Sequence, residues 1–239
     1  MKLSESKEII FELVAGSISK QEITTPKNIY NIIASVDTLK DILKDYTEEN
    51  SKAFSYFVGE LSNGGIANKN GHACTVEDTV KIYKRFEKTF INLDHKRSNI
   101  VGFIVKANLT DPDTKEILTD EEALNSKKPI NISIGFIVWP HADTAFYSIL
   151  DKTSNPNDET HGLISLSWEA SFDEYSILKG APNQFNGEIV TEDSEVEKLT
   201  PFLKDFGGTG LLEDGVTPVY LLATGDNLTP LGAGLVVNP

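Results

Sequence analysis

The spacing of apolar residues changes character near residue 50. Before it the pattern predicts helices: Ser4 to Val14 carries Ile9, Ile10, Leu13 and Val14 at a helical spacing. Thr25-Pro26 opens a second segment with Ile29, Ile32 and Ile33 on one face. Pro is tolerated in a first helical turn because its missing N–H would have had no partner there. A third segment places Leu39, Ile42 and Leu43 on one stripe, with Asp37 near its start. Residues 1–50 are thus expected to form a helical arm. Its elements are short and amphipathic, so they need a partner surface, either the main domain or another subunit.

From Ala53 the pattern turns to strands. AFSYFVGEL reads as one, closed by the turn-rich SNGG. Thr75 to Phe90 predicts a helix capped by Thr75, with Asp78 at the capping-box offset. FINLDH and NIVGFIVKANL follow as strands. After the polar insert ILTDEEALNSKK comes PINISIGFIVW, whose near-continuous apolar run suggests burial on both faces. Asp143 to Leu150 predicts a short helix capped by Asp143. GLISLSWEASF is the cleanest strand, with Leu166, Trp168, Ala170 and Phe172 on one face and Ser165, Ser167, Glu169 and Ser171 on the other. A helix around Glu195 to Phe206, stopped by Gly207-Gly208, and two strands near VYLLATG and GAGLVVN complete the chain. The expectation is an α+β fold in which residues 51–239 form a mostly antiparallel sheet, closing as a barrel with peripheral helices.

Composition narrows the function classes. The 22 basic and 36 acidic residues leave a net charge of −14, a surface that a phosphate backbone repels, so protein partners are expected and nucleic acid is not. Among the 239 residues no apolar run approaches the ~20 needed to span a membrane. MKLSESKEIIFELVAG carries acidic residues inside its apolar stretch and does not read as a secretory signal, so a soluble protein made in the cytoplasm is expected. The single cysteine, Cys74, excludes an internal disulfide framework. With His72 it supplies two possible metal ligands where a structural zinc site wants four, and no metal or cofactor is expected.

Two residues carry candidate chemistry. His95 ends FINLDH at a turn, in phase with Ile91 and Leu93, where an imidazole at the rim of an apolar core can serve as a general base. It can equally be a strand-end histidine bonded to a backbone carbonyl. Ser167, on the polar face of its strand, becomes a nucleophile if a histidine on a neighbouring strand takes its proton. Ser165 and Ser171 share that face and Ser133 is a rival on another strand, and a plain solvated face also accounts for such serines. No GxSxG elbow, phosphate-cradling loop, HExxH or EF-hand pattern is present.

The order of segments from residue 53 onward resembles the prohead maturation proteases of tailed phages, which share a fold with herpesvirus assembly proteases. The stretches that carry the resemblance are GELSNGGIANKNG, NLDHKRSNIVGFI, DTAFYSILDK, HGLISLSWEASF and LGAGLVVNP, each short and degenerate, in the family's order. The resemblance implies a barrel of that type, His95 as general base, Ser167 as nucleophile, and peptide-bond hydrolysis through an acyl-enzyme. It implies the major capsid protein and scaffold of a phage head as partners, self-association, and location in the procapsid or virion after synthesis in the bacterial host. The sequence departs from the family where an orienting residue is expected in the last strand, because that place falls near Gly232. Asp94, Asp143, His141, His161 and Glu169 are the possible substitutes, with Glu169 two residues along the same strand face as Ser167. The alternative is a catalytically retired, capsid-associated structural protein that keeps the fold.

Overall fold

A computed structural model describes residues 1–12, 18–21 and 54–237. In chain order the described elements are β1 (Lys2–Glu12), β2 (Ile18–Gln21), β3 (Ser55–Gly64), β4 (His72–Ala73), α1 (Val76–Ile82), β5 (Phe90–Leu93), β6 (Lys96–Thr110), β7 (Ile117–Leu118), α2 (Asp120–Leu124) and β8 (Ile130–Val138). They continue with α3 (Thr144–Thr153), β9 (Ile164–Lys179), β10 (Glu188–Val190), α4 (Asp193–Leu199), β11 (Val219–Thr224) and β12 (Thr229–Val237). The strands form one sheet in the order β2-β3-β8-β6-β5-β12-β9-β11-β4, with β1 and β10 on β9 and β7 on β6. Pairing is antiparallel except for β5 with β12 and β4 with β11. The result is a sheet-dominated α+β fold whose sheet curls into a half-barrel. Among the described residues no helix is long and apolar enough to cross a membrane.

Most elements form where the sequence places them, for the expected local reasons. Thr75 caps α1 by accepting from the backbone N–H of Asp78, and Asp143 caps α3 by accepting from that of Phe146. β8 is buried along nearly its whole length, as a two-sided core strand should be. The long helix expected at Thr75–Phe90 is shorter: after α1 a 3-10 turn spans Tyr83–Phe86, and Phe90 already belongs to β5. Likewise the helix expected over Glu195–Phe206 gives way after Leu199 to 3-10 turns, as Pro201 allows, and Gly207 ends the run in a left-handed conformation at φ +88°.

The N-terminal segment is a correction. The helix expected over Ser4–Val14 is the strand β1 from Lys2 to Glu12, with Lys7–Glu12 in register against Phe172–Ser167 of β9. Helical spacing there was a weak signal, set against two adjacent β-branched residues and a pair of serines. The long strand β9 decides the matter. On the edge opposite β11 and β12, β10 covers β9 only from Ile177 to Lys179, and the backbone groups before that point need partners that β1 provides. β2 also joins the sheet, against β3, so over the described residues the segment is not a separate helical arm. The helices expected between residues 25 and 43 lie outside the described residues.

The apolar core runs through the curl of the sheet. Trp168, Phe172 and Tyr175 of β9 are fully buried with Phe57, Phe86 and Phe136. Trp168 meets Phe86 edge-to-face, with ring centroids 5.1 Å apart and planes at 74°. That contact fixes the inner face of β9 and therefore the direction of the side chains on its outer face.

Candidate active site

The outer face of β9 carries Ser165, Ser167 and Glu169, and it is not a solvated face. All three are buried, Ser167 with 0% of its surface exposed. Polar groups so placed require partners, because an unpaired buried donor or acceptor costs roughly 1–3 kcal/mol. The partner of Ser167 and Glu169 comes from the hairpin joining β5 to β6. Leu93 pairs with Lys96 across a two-residue loop, Asp94-His95, in which both residues have positive φ, 50° and 58°. Two consecutive left-handed residues are the pattern of a type I′ turn, whose twist suits a tight hairpin. This turn sends the His95 ring back across β12 toward β9.

The geometry is a relay. His95 Nε2 lies 2.9 Å from Ser167 Oγ, and His95 Nδ1 lies 2.9 Å from Glu169 Oε1. A carboxylate can only accept, so Nδ1–H donates to Glu169 and the lone pair of Nε2 is left to accept the Ser167 hydroxyl proton. Glu169 is held in turn: Asn92 Nδ2 donates to Oε1 at 3.2 Å, and Arg97 Nη2 stands 3.6 Å from Oε2. Serine, histidine and carboxylate in this sequence of contacts are the parts of a nucleophile, a base and an orienter.

β12 makes room for the arrangement by lacking side chains. Gly234 sits opposite Ser167 in the β9–β12 register. A Cβ there would stand 3.0 Å from Cε1 and Nδ1 of His95 and 3.1 Å from Asn92 Oδ1. Gly232, where an orienting residue was expected, lies opposite Glu169 beside a bulge in β12, and its φ of +150° suits glycine. The carboxylate therefore stands on the strand facing the glycine.

The remaining candidates lie elsewhere. Asp94 faces Lys96 at 3.8 Å, Asp143 caps α3, and His161 Nδ1 donates to the Thr153 carbonyl at 2.9 Å. His141 is exposed in the turn before α3. Ser133 Oγ bonds Thr110 Oγ1 at 2.7 Å, and Ser171 is half-buried beyond Glu169. His72 Nε2 faces both oxygens of Asp205, at 2.9 and 3.0 Å. Cys74 is fully buried, which pushes its thiol well above the usual range, so it is not a poised nucleophile.

Two members of the site, Asn92 and Arg97, were not singled out from the sequence. The signal for Asn92 was present: an amide inside the apolar run FINL has to be satisfied by something buried. Comparison of the chain with protein-family models, with curated proteins and with solved structures finds no match in any of the three.

Proposed function

We propose that the chain is a serine endopeptidase with Ser167 as nucleophile, His95 as general base and acid, and Glu169 as the orienting carboxylate. The observation that carries this reading is the pair of 2.9 Å contacts from the two nitrogens of His95 to Ser167 and Glu169. Ser167 Oγ attacks the carbonyl carbon of a peptide bond while His95 Nε2 takes its proton. The tetrahedral oxyanion collapses, and the leaving amine departs with that proton. A water molecule, deprotonated by the same nitrogen, then hydrolyses the acyl-enzyme and restores the serine. Glu169 holds the imidazole in the required tautomer and balances the imidazolium that forms.

The order of the sequence segments supports a biological setting for this activity. We assign the chain to the head assembly of a tailed phage, as a maturation protease of the prohead type on a barrel like that of the herpesvirus assembly proteases. Its substrates are segments of the scaffold and major capsid protein, and its place is the procapsid. Co-expression with capsid and scaffold proteins tests this: cleavage by the wild type and none by Ser167→Ala is expected, and equal processing by both would remove Ser167 from the mechanism.

One observation favours a second reading. Ser167 is fully covered, as it would be in a retired protease-like protein that binds the major capsid protein as a structural component of the virion. High copy number in mature particles, with no processing in the co-expression experiment, would favour it.

A further inference from the structure

β9 is flanked differently on its two edges near Ser167. β12 lies along one edge from Ile164 to Ser171, and β1 lies along the other from Ser167 to Glu174. β1 has no second neighbour in the sheet among the described residues. Among the described residues its pairing runs as far as Glu12 opposite Ser167, so an extended chain here reaches the candidate nucleophile. The N–H and C=O groups of β9 that face this edge are the ones an incoming peptide would need for strand addition.

We propose that β1 occupies the position of the substrate: the edge of β9 from Ser167 to Phe172 binds an extended peptide antiparallel to it, and β1 must leave for that peptide to enter. This rests on the peptidase reading and supplies its binding register.

The contacts of β1 indicate what such a peptide looks like. Neighbouring residues of a strand face opposite sides of the sheet. Glu8, opposite Ser171, meets Arg97 Nη2 at 2.6 Å, while Lys7, opposite Phe172, places its ammonium 3.6 Å from the centroid of the Phe206 ring. Arg97 is the same guanidinium that stands 3.6 Å from Glu169. An extended segment with an acidic residue opposite Ser171, preceded by a basic one, therefore matches the edge. The Arg97 bond to that acidic residue joins occupancy of the edge to the carboxylate that orients His95.

Two full-length variants, both made in a Ser167→Ala background, separate the states. Glu8→Cys with Ser171→Cys locks β1 to β9 when oxidised. Ile9→Pro with Ile10→Pro loosens it, because successive residues of an antiparallel strand turn their N–H groups to opposite sides and one of the two must lose a ladder bond. The probe is a fluorescein-labelled peptide of sequence KLSESKEIIFE, followed by fluorescence anisotropy, with thermal melts to confirm folding. The loosened protein should bind it at least about tenfold more tightly than the parent, because an attached strand competes at an effective concentration of order mM. The oxidised form should bind at least about tenfold more weakly than the loosened one, with dithiothreitol reversing the lock. A peptide with glutamine at the position of Glu8 should bind several-fold more weakly than the parent peptide. Equal binding by locked and loosened forms, or no binding by any form, overturns the proposal; the locked protein still tests it if the proline variant does not fold. The Ser167-containing versions, treated with a fluorophosphonate, report separately on the peptidase reading. Loss of labelling in every form would refute that reading and leave the binding result to stand alone.

Discussion

The two flanks of β9 differ in chemistry as well as position. The β12 flank is built from Ala233, Gly234 and Leu235, all buried, and its register with β9 is continuous from Gly232 to Val237. The β1 flank is KLSESKEIIFE, polar over its first seven residues except Leu3; its register is interrupted between Lys2 and Lys7, and exposed ion pairs hold Lys2 and Glu8. Burial of apolar groups is worth roughly 25 cal/mol per Å² and does not come undone locally, whereas exposed ion pairs contribute about 0–1 kcal/mol each. One flank is scaffold, and the other is suited to exchange. The candidate nucleophile lies between them.

The largest effects are expected at the relay that the scaffold flank supports. Glu169→Gln keeps the size of the side chain but allows the wrong tautomer of His95, and peptide hydrolysis should fall by about 10³–10⁴-fold. A decline in kcat with an unchanged melting temperature is the expected signature. Trp168→Ala acts on the opposite face of β9. It removes the edge-to-face contact with Phe86, and chemical denaturation should show a loss of about 3–5 kcal/mol. Gly234→Ala brings a methyl group to within 3.0 Å of the His95 ring, so activity should drop by about 10²-fold through displacement of the base. Steady-state kinetics beside a far-UV spectrum would separate that displacement from misfolding.

Beside the exchangeable flank, smaller effects are expected. Burial alone would raise the carboxyl of Asp205, yet its bonds to His72, with a contribution from Lys7 of β1, hold it below the ordinary carboxylate range. A lowered folded pKa contributes stability above the unfolded value of about 3.9 and loses it as the pH falls through the folded value. Thermal melts of wild type and His72→Phe should therefore differ at neutral pH and converge as the pH drops below about 4. Glu8→Gln removes an ion pair whose partners are both more than half exposed, so global stability should change by less than about 1 kcal/mol. A larger loss would mean that β1 is scaffold after all.

How far the sequence could be read follows the same division. Caps at Thr75 and Asp143, the alternation along β9 and the two-sided burial of β8 are local signals, and each has a local physical cause. The nature of the Ser167 face is not local. Alternating polar residues describe a solvated face or a buried polar network equally well, and only the hairpin that carries His95 across β12 decides between them. Glu169 was one of several possible orienters because five side chains satisfied the chemistry and sequence spacing does not encode reach. The N-terminal segment is a strand and not a helix for a related reason: its pairing depends on an edge of β9 more than 150 residues away in the chain, and a tertiary vacancy of that kind outweighs weak helical periodicity.

Peptidase activity requires that the Ser167 hydroxyl be activated by His95. The most direct test is intact-protein and peptide mass spectrometry after treatment with a fluorophosphonate, on the wild type and on the Ile9→Pro/Ile10→Pro variant. A single phosphonyl adduct on Ser167 is expected, formed faster in the loosened variant and lost in both backgrounds when His95 is replaced by alanine. An unmodified Ser167 in both proteins, or an adduct that survives the loss of His95, would contradict it.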